Sequence, residues 1–248
     1  MGKSQCCGAD MGVTLPCITV GEGDVYLVGD SHLSCVMDAE FDRFYKFVDA
    51  IEHRATAIFL LGDIFDFYFR FTTSFTPSHY RKLQEKLFSI ASQKPVVYLP
   101  GNHDFWLGKE WERAGVYVWR EGGILNYDDK RYFVLHGDRL DWKAKRDLLL
   151  KHPLPIFLFS LLPPMVGYSI GMLVSSLSDV REKIQPPEYL RRARMLFKEG
   201  DWDGMILGHV HFPMIDDSIV MAGDWETQRT YVVLNGDGVR IERWTGSL

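Results

Sequence analysis

Thiols are scarce in this 248-residue chain and confined to one end of it. The four cysteines, Cys6, Cys7, Cys17 and Cys35, all fall before residue 36. They have neither the spread of a disulfide framework nor a CxxC pair, so they read as reduced thiols in a cytosolic compartment. An excess of positive charge is also missing. The net charge of −5 argues against a nucleic-acid binder that works through bulk charge, and no nucleic-acid partner is expected. Gly, Asp, Thr and Pro interrupt Met1 to Val20, so a secretory leader is not expected. "MGKSQC" is close to an acylation signal but has Cys6 where Ser or Thr is needed, and residues 1–20 read as a flexible extension. Repeats and low-complexity tracts are absent. With 46% apolar and 25% charged residues, the chain reads as globular and fits one large domain or one domain carrying an insertion.

What is present is an alternation of apolar runs with segments of helical period, which predicts an α/β fold. Strands are expected in "DVYLVGD" (24–30), "TAIFLLGD" (56–63), "PVVYLPGNHD" (95–104), "RYFVLHGD" (131–138) and "GMILGHVH" (204–211). One helix follows the first strand, with Phe41, Phe44, Tyr45, Val48 and Ile51 on its inner face. A second spans Pro77 to Gln93, buries Tyr80, Leu83, Leu87 and Ile90, and has Thr76 as its N-cap. Helical material fills 141–199. The tail ends in a hairpin turning at Asn235-Gly236-Asp237-Gly238.

Five of these strands end alike: "VGDSH", "LGDIFD", "PGNHD", "LHGD" and "LGHVH". The carboxyl ends of strands in an open α/β sheet share one edge, where ligands bind. The five ends are therefore expected to converge, bringing together Asp30, His32, Asp63, Asn102, His103, Asp104, His136, His209 and His211. Five of the eight histidines lie in this set. Oxygen and imidazole donors without thiolate suit Mn²⁺, Fe, Zn²⁺ or Mg²⁺. There are too many donors for one ion, and two cations about 3.5–4 Å apart can clamp a phosphoryl group.

The order D-x-H, GD, GNHD, H, GHxH resembles the signature of the calcineurin-like metallophosphoesterases. It is carried by Asp30-Ser31-His32, Gly62-Asp63, Gly101-Asn102-His103-Asp104, His136 and Gly208-His209-Val210-His211, over roughly residues 24–225. The resemblance implies a four-layer αββα sandwich. It implies that Asp30, His32 and His211 hold one divalent cation, that Asn102, His136 and His209 hold a second, and that Asp63 bridges them, with Mn²⁺ the expected metal. It implies His103 as proton donor to the leaving oxygen, with Asp104 orienting its ring or else capping the next helix. Within the family, "GDSHL", "LGDIFDFY", "GNHDFWLG", "LHGD" and "GHVHFP" look like UDP-2,3-diacylglucosamine pyrophosphohydrolase of lipid A synthesis. The chain departs from that pattern at His103, where Arg is usual. It departs again after His136, where "RLDWKAKRD" replaces a Thr-Asp-Asp run.

The remaining absence is of charge. From Pro153 to Ser178 there are 26 residues without any, long enough for a membrane span. Six prolines and glycines interrupt the run, and a single crossing would place His136 and His209 on opposite sides of the bilayer. Two short apolar helices forming a cap within 141–199 are expected instead. Basic residues bracket it: Lys143, Lys145, Arg146 and Lys151 before, and Arg181, Lys183, Arg191, Arg192 and Arg194 after. Such a cap suits a lipid-bearing phosphate substrate at an anionic bilayer, although packing on its own domain or at a dimer interface is also open. Arg139, Asp66, Arg181 and Lys183 are further candidate substrate contacts, with Asp66 also able to support a ligand histidine. The expectation is a binuclear phosphohydrolase domain over 21–248, cytoplasmic or peripheral on the inner face of the cytoplasmic membrane. It would cleave a sugar-nucleotide or lipid-linked phosphate. The alternatives are a soluble phosphodiesterase or nucleotidase and a non-catalytic scaffold; the oligomeric state is open.

Overall fold

A computed structural model describes residues 4–7, 14–35, 38–72, 75–141, 153–179 and 185–246. The five expected strands form, as Asp24–Val28 (β3), Ala55–Leu60 (β4), Val96–Tyr98 (β5), Lys130–Leu135 (β8) and Gly204–Leu207 (β9). They do not share one sheet. β3, β4 and β5 lie side by side in parallel with Tyr117–Val118 (β6) at one edge. The hairpin Thr230–Asn235 (β12) and Gly238–Arg243 (β13) completes six strands in the order β13-β12-β3-β4-β5-β6. Asn235 opposes Gly238 there, so Gly236 and Asp237 make the two-residue turn. The second sheet has seven strands in the order β1-β2-β7-β8-β9-β11-β10, with Ser4–Cys7 (β1), Thr14–Val20 (β2), Gly123–Tyr127 (β7), Pro213–Asp216 (β10) and Ile219–Ala222 (β11).

Alternation along the strands explains why the sheets stack. Val25, Leu27, Phe59, Leu61 and Val97 of one sheet bury against Leu125, Val134, Ile206, Val220 and Ala222 of the other. The intervening Tyr26, Val28, Ile58 and Leu60 face Ala39–Glu52 (α1) and Ser78–Ala91 (α2). On the far side Phe133, Met205 and Leu207 meet Tyr189, Leu190 and Ala193 of Pro186–Phe197 (α6). The result is the expected αββα sandwich. Helix α1 buries Phe41, Phe44, Phe47, Val48 and Ile51, so Phe47 takes the core position the sequence reading gave to Tyr45. Helix α2 starts at Ser78 after Pro77 and has no side-chain cap, so Thr76 is not its N-cap.

Two expectations about the amino-terminal segment fail. Residues 14–20 are not an extension: β2 pairs in parallel with β7, from Cys17 opposite Ile124 to Val20 opposite Tyr127, and buries Leu15, Ile18 and Val20. Cys17 is disulfide-bonded, whereas Cys35 is a free thiol. The backbone register of β1 on β2, with Cys6 opposite Leu15 and Ser4 opposite Cys17, sets two cysteine-bearing strands side by side.

The insertion between β8 and β9 contains the two expected short helices, Pro153–Ser160 (α4) and Pro164–Asp179 (α5), before α6. Lys109–Arg113 (α3) is a further helix among the described residues. No helix among the described residues is long and apolar enough to cross a membrane. α4 and α5 dock on alternate residues of the segment after Asp63. Phe159 packs edge-on against Phe67 and Phe69, and Tyr168 against Phe67, with ring centroids 4.9–6.0 Å apart. Thr72 N–H donates to Ser160 O at 3.1 Å. The outward side stays apolar: Leu154, Phe157, Leu158, Leu161, Met165 and Leu173 are 56–76% exposed.

Candidate metal centre

The strand ends converge although they come from both sheets. Beyond β3 the chain folds over the loop after β4: Asp30 N–H donates to Gly62 O, and the Ser31 and His32 N–H groups donate to Asp63 O at 3.0 Å. Across to the β5 loop, His103 N–H donates to Asp63 Oδ1 at 2.8 Å. From the other sheet, His209 N–H donates to Asp30 Oδ2 at 2.9 Å. Four of the candidate ligands, Asp30, His32, Asp63 and His209, have φ between +41° and +68°. Such backbone costs about 1–3 kcal/mol per residue and persists where the surroundings over-determine it. Gly62 is required between them. Its φ is +92°, and an added Cβ would lie 2.5 Å from His136 Nδ1.

Three carboxylate–histidine groups result. Asp30, His32 and His211 form one, Asp63, His136 and His209 a second, and His32, Asp66 and His103 a third that shares His32 with the first; within each group the donor atoms lie within 4.8 Å of one another. His211 Nε2 is 3.4 Å from Asp30 Oδ1, and His136 Nε2 is 3.4 Å from Asp63 Oδ2. His136 Nδ1 lies 2.6 Å from Leu61 O, so it donates there and turns Nε2 inward. Asp30 Oδ1, both nitrogens of His32, Asn102 Oδ1 and His136 Nε2 are buried with no hydrogen-bond partner. Buried polar atoms are normally paired. A convergent set of lone pairs left over by the protein is the environment a divalent cation satisfies, and the donor chemistry fits one.

Charge in the centre is strongly coupled. Burial opposes ionisation of Asp63, but His136, His103 and His32 outweigh it and hold the carboxyl well below its usual range. Asp30 is lowered in the same way, with His211 the main partner working against burial. Burial drives His32 down to about 3, keeping it neutral. His136 goes the other way, up to about 10, because the Asp63 carboxylate beside it overcomes burial.

Asp104 does not do what its position beside His103 suggests. It is fully buried and accepts from Gly101 N–H at 2.7 Å, Ile64 N–H at 2.8 Å, Asp63 N–H at 3.2 Å and Tyr98 O–H at 2.5 Å. It neither orients the His103 ring nor caps a helix; it ties the β4 loop to the β5 loop. Burial and the nearby Asp63 charge raise it to about 6. Asp66 is the partner of His103 instead, with His103 Nδ1 2.9 Å from Asp66 O and 3.9 Å from Asp66 Oδ1. The rings of His32 and His103 meet edge-on at 4.7 Å.

The substrate candidates fare unevenly. Arg139 is exposed and pairs with Glu121, so it is an ion pair at the surface. Arg191 and Arg192 pair with Glu188, and Arg194 pairs with Asp216. Arg181, Lys183, Lys143, Lys145, Arg146 and Lys151 lie outside the described residues. Sequence reasoning missed the Phe67–Phe69–Phe71 stripe, whose period-2 aromatic spacing was there to be read. It also missed Asp141, whose Oδ2 is 3.6 Å from His209 Nε2.

Residues 23–213 match the family described as Calcineurin-like phosphoesterase, and the chain belongs to that family. It is accordingly a metal-dependent phosphoester hydrolase, and the family implies divalent metal ions. Among curated relatives, a UDP-2,3-diacylglucosamine hydrolase of Shewanella sp. (strain ANA-3) is 27% identical over 231 residues, covering 87% of this chain and 95% of the relative. The enzyme of the same name from Shewanella baltica (strain OS185) is 28% identical with the same coverage. Among solved structures, Vacuolar Protein Sorting 29 from Cryptosporidium parvum aligns with 89% of this chain and 96% of its own, at 12% identity and a TM-score of 0.42.

Proposed function

We propose that this chain is a binuclear phosphohydrolase that cleaves a sugar-nucleotide lipid pyrophosphate, as a UDP-2,3-diacylglucosamine hydrolase does, at a membrane surface. The observation that carries it is the pair of carboxylate–histidine groups at Asp30 and Asp63, lined with unpartnered buried donors. Asp30, His32 and His211 would hold one cation, Asn102, His136 and His209 the other, and Asp63 would serve both. Two such cations supply charge neutralisation to a phosphoryl group and a nucleophile at neutral pH; Mn²⁺ is our assignment for the metal. The complete donor set speaks against a scaffold that has given up catalysis.

The chain's own residues supply the rest. Asp66 O accepts from His103 Nδ1–H, so that in the imidazolium form it is the second proton, on Nε2, that is released to the leaving oxygen. Asp66 orients that ring, and Asp104 fixes the loops that carry Asp63 and His103. The α4–α5 cap, within the 141–199 insertion, offers its exposed apolar side to acyl chains and to the cytoplasmic face of the bilayer. Two experiments test the reading. Release of nitrophenol from bis-p-nitrophenyl phosphate should require added Mn²⁺. Mass spectrometry should find cleavage of UDP-2,3-diacylglucosamine and none of UDP-sugars without acyl chains. Equal cleavage of both would replace the lipid-linked substrate with a soluble one, and no metal-dependent turnover would remove the proposal.

A further inference from the structure

The segment leaving β8 carries a carboxylate that the proposed reaction does not use. Residues 138–140 make a single 3₁₀ turn, and Asp141 follows it, 5% exposed, with Oδ2 3.6 Å from His209 Nε2. This is the stretch where "RLD" departs from the pattern of the enzymes the chain otherwise resembles. The turn is held in place by α6. Arg192 Nη1 donates to Leu140 O at 3.0 Å. Tyr189, fully buried, reaches Gly137 O at 3.2 Å and Gly208 O at 3.4 Å, so one hydroxyl spans the loops bearing His136 and His209. Gly137, at φ +103°, has room for nothing more: an added Cβ would lie 2.0 Å from the Tyr189 hydroxyl.

A neutral imidazole has one N–H and one lone pair, and the group that accepts the N–H decides which nitrogen keeps the lone pair. The Asp141 carboxylate stands 3.6 Å from His209 Nε2, longer than a hydrogen bond, but its charge favours the proton on that nitrogen and so the lone pair on Nδ1. We infer that Asp141 is a positioning residue that fixes the tautomer and ring plane of His209 for the second cation, and that α6 sets Asp141 through Tyr189 and Arg192. The inference rests on the two-cation reading. It links the helix that ends the insertion most directly to the half of the centre that carries His136 and His209.

The test is Mn²⁺ binding by titration calorimetry and metal analysis on the full chain, for wild type, Asp141→Ala, Asp141→Asn and Tyr189→Phe. Loss of a histidine's outer partner typically costs 10–100-fold in metal affinity. Asp141→Ala should weaken the second equivalent by about that factor and leave the first unchanged. Asp141→Asn should lose less, because its amide oxygen keeps a polar acceptor beside Nε2, and Tyr189→Phe should shift the second equivalent in the same direction. Melting of the cation-free proteins separates this from misfolding, and Asp141→Asn carries the test if Asp141→Ala does not fold. Two equivalents bound by Asp141→Ala with wild-type affinities would overturn the inference alone, as would equal weakening of both equivalents. Wild-type protein that binds no cation would overturn the two-cation reading and this inference with it.

Discussion

The metal centre and the cap, separated by only a few residues of Phe-rich chain, are built on opposite terms. In the centre, buried polar atoms are placed by backbone hydrogen bonds from both sheets, four residues hold left-handed φ, and five donor atoms are left without partners. In the cap, α4 and α5 touch the body through Ile156, Phe159 and Tyr168 and leave large apolar side chains in water. The centre is cross-tied by backbone hydrogen bonds, and its chemistry can be read atom by atom. The cap is a surface whose purpose lies in what covers it, because exposed apolar patches of this extent mark interaction sites.

Substitutions can break this contrast in graded steps. The largest effect should follow Asp63→Asn, at the carboxylate proposed to serve both cations: turnover should fall by more than about 10³-fold, exceeding the loss of a single oxyanion donor, with bound metal lost as well. Metal analysis and kcat together check it; retention of both cations with near-normal kcat would mean that Asp63 is not shared. His103→Ala should lower kcat by about 10²–10⁴-fold at unchanged metal content. His103→Arg should hurt a phosphomonoester with a poor leaving group more than a pyrophosphate, and equal losses on the two substrates would remove His103 as the proton donor.

On the cap side the effects should be smaller and selective. Replacing Leu154, Phe157, Leu158 and Leu161 by Ser should reduce the rate on the acylated substrate about 10-fold more than that on bis-p-nitrophenyl phosphate. Co-sedimentation with phosphatidylglycerol vesicles should weaken in parallel. A uniform loss on both substrates would turn the cap into a mere packing element. Smaller still is Gly171→Ala. The new Cβ would meet the Phe67 ring at 2.3 Å, and overpacking of about 1–3 kcal/mol should exceed the roughly 1 kcal/mol gained by removing a helical glycine. A melting temperature equal to or above wild type would show that the cap seats more loosely on its Phe stripe.

Proton linkage sharpens the other half of the contrast. The folded His136 is raised from 6.5 to about 10, so its contribution is complete below pH 6.5 and is lost as pH rises through 10. Asp63, held low, loses its contribution only in acid, and Asp104, raised to about 6, has ionised below this window. Cation-free protein should therefore melt at falling temperature between pH 6.5 and 10. Protein saturated with Mn²⁺ should not follow it, because the metal takes the proton's place on His136. A flat profile in EDTA would contradict the pairing of His136 with Asp63.

The centre was legible in the sequence because strand ends repeat one local signature, and a signature of chemistry survives any sheet arrangement. That is why the convergence of Asp30, His32, Asp63, His136, His209 and His211 could be expected although β3, β4 and β5 lie in one sheet and β8 and β9 in the other. Asp104 was misread because adjacency in sequence says nothing about direction: the tight turn from Gly101 swings its carboxylate back under the loop, and Asp66, far earlier in the chain, takes the place beside His103. The role of residues 14–20 was hidden because β2 gains its value only from a partner strand about a hundred residues on. The cap helices were visible from composition, but their seat required noticing that Phe67, Phe69 and Phe71 alternate.

β8 and β9 are direct neighbours, paired in parallel from Tyr132 opposite Gly204 to Leu135 opposite Leu207. A parallel pair needs a crossover of a dozen or more residues, and α6 alone provides that length. The sheet therefore has no architectural use for α4 and α5. Strand registration does not depend on them, so they answer only to their seat through Ile156, Phe159 and Tyr168, and their outer side can vary while the loops that gather the carboxylates and histidines stay in place.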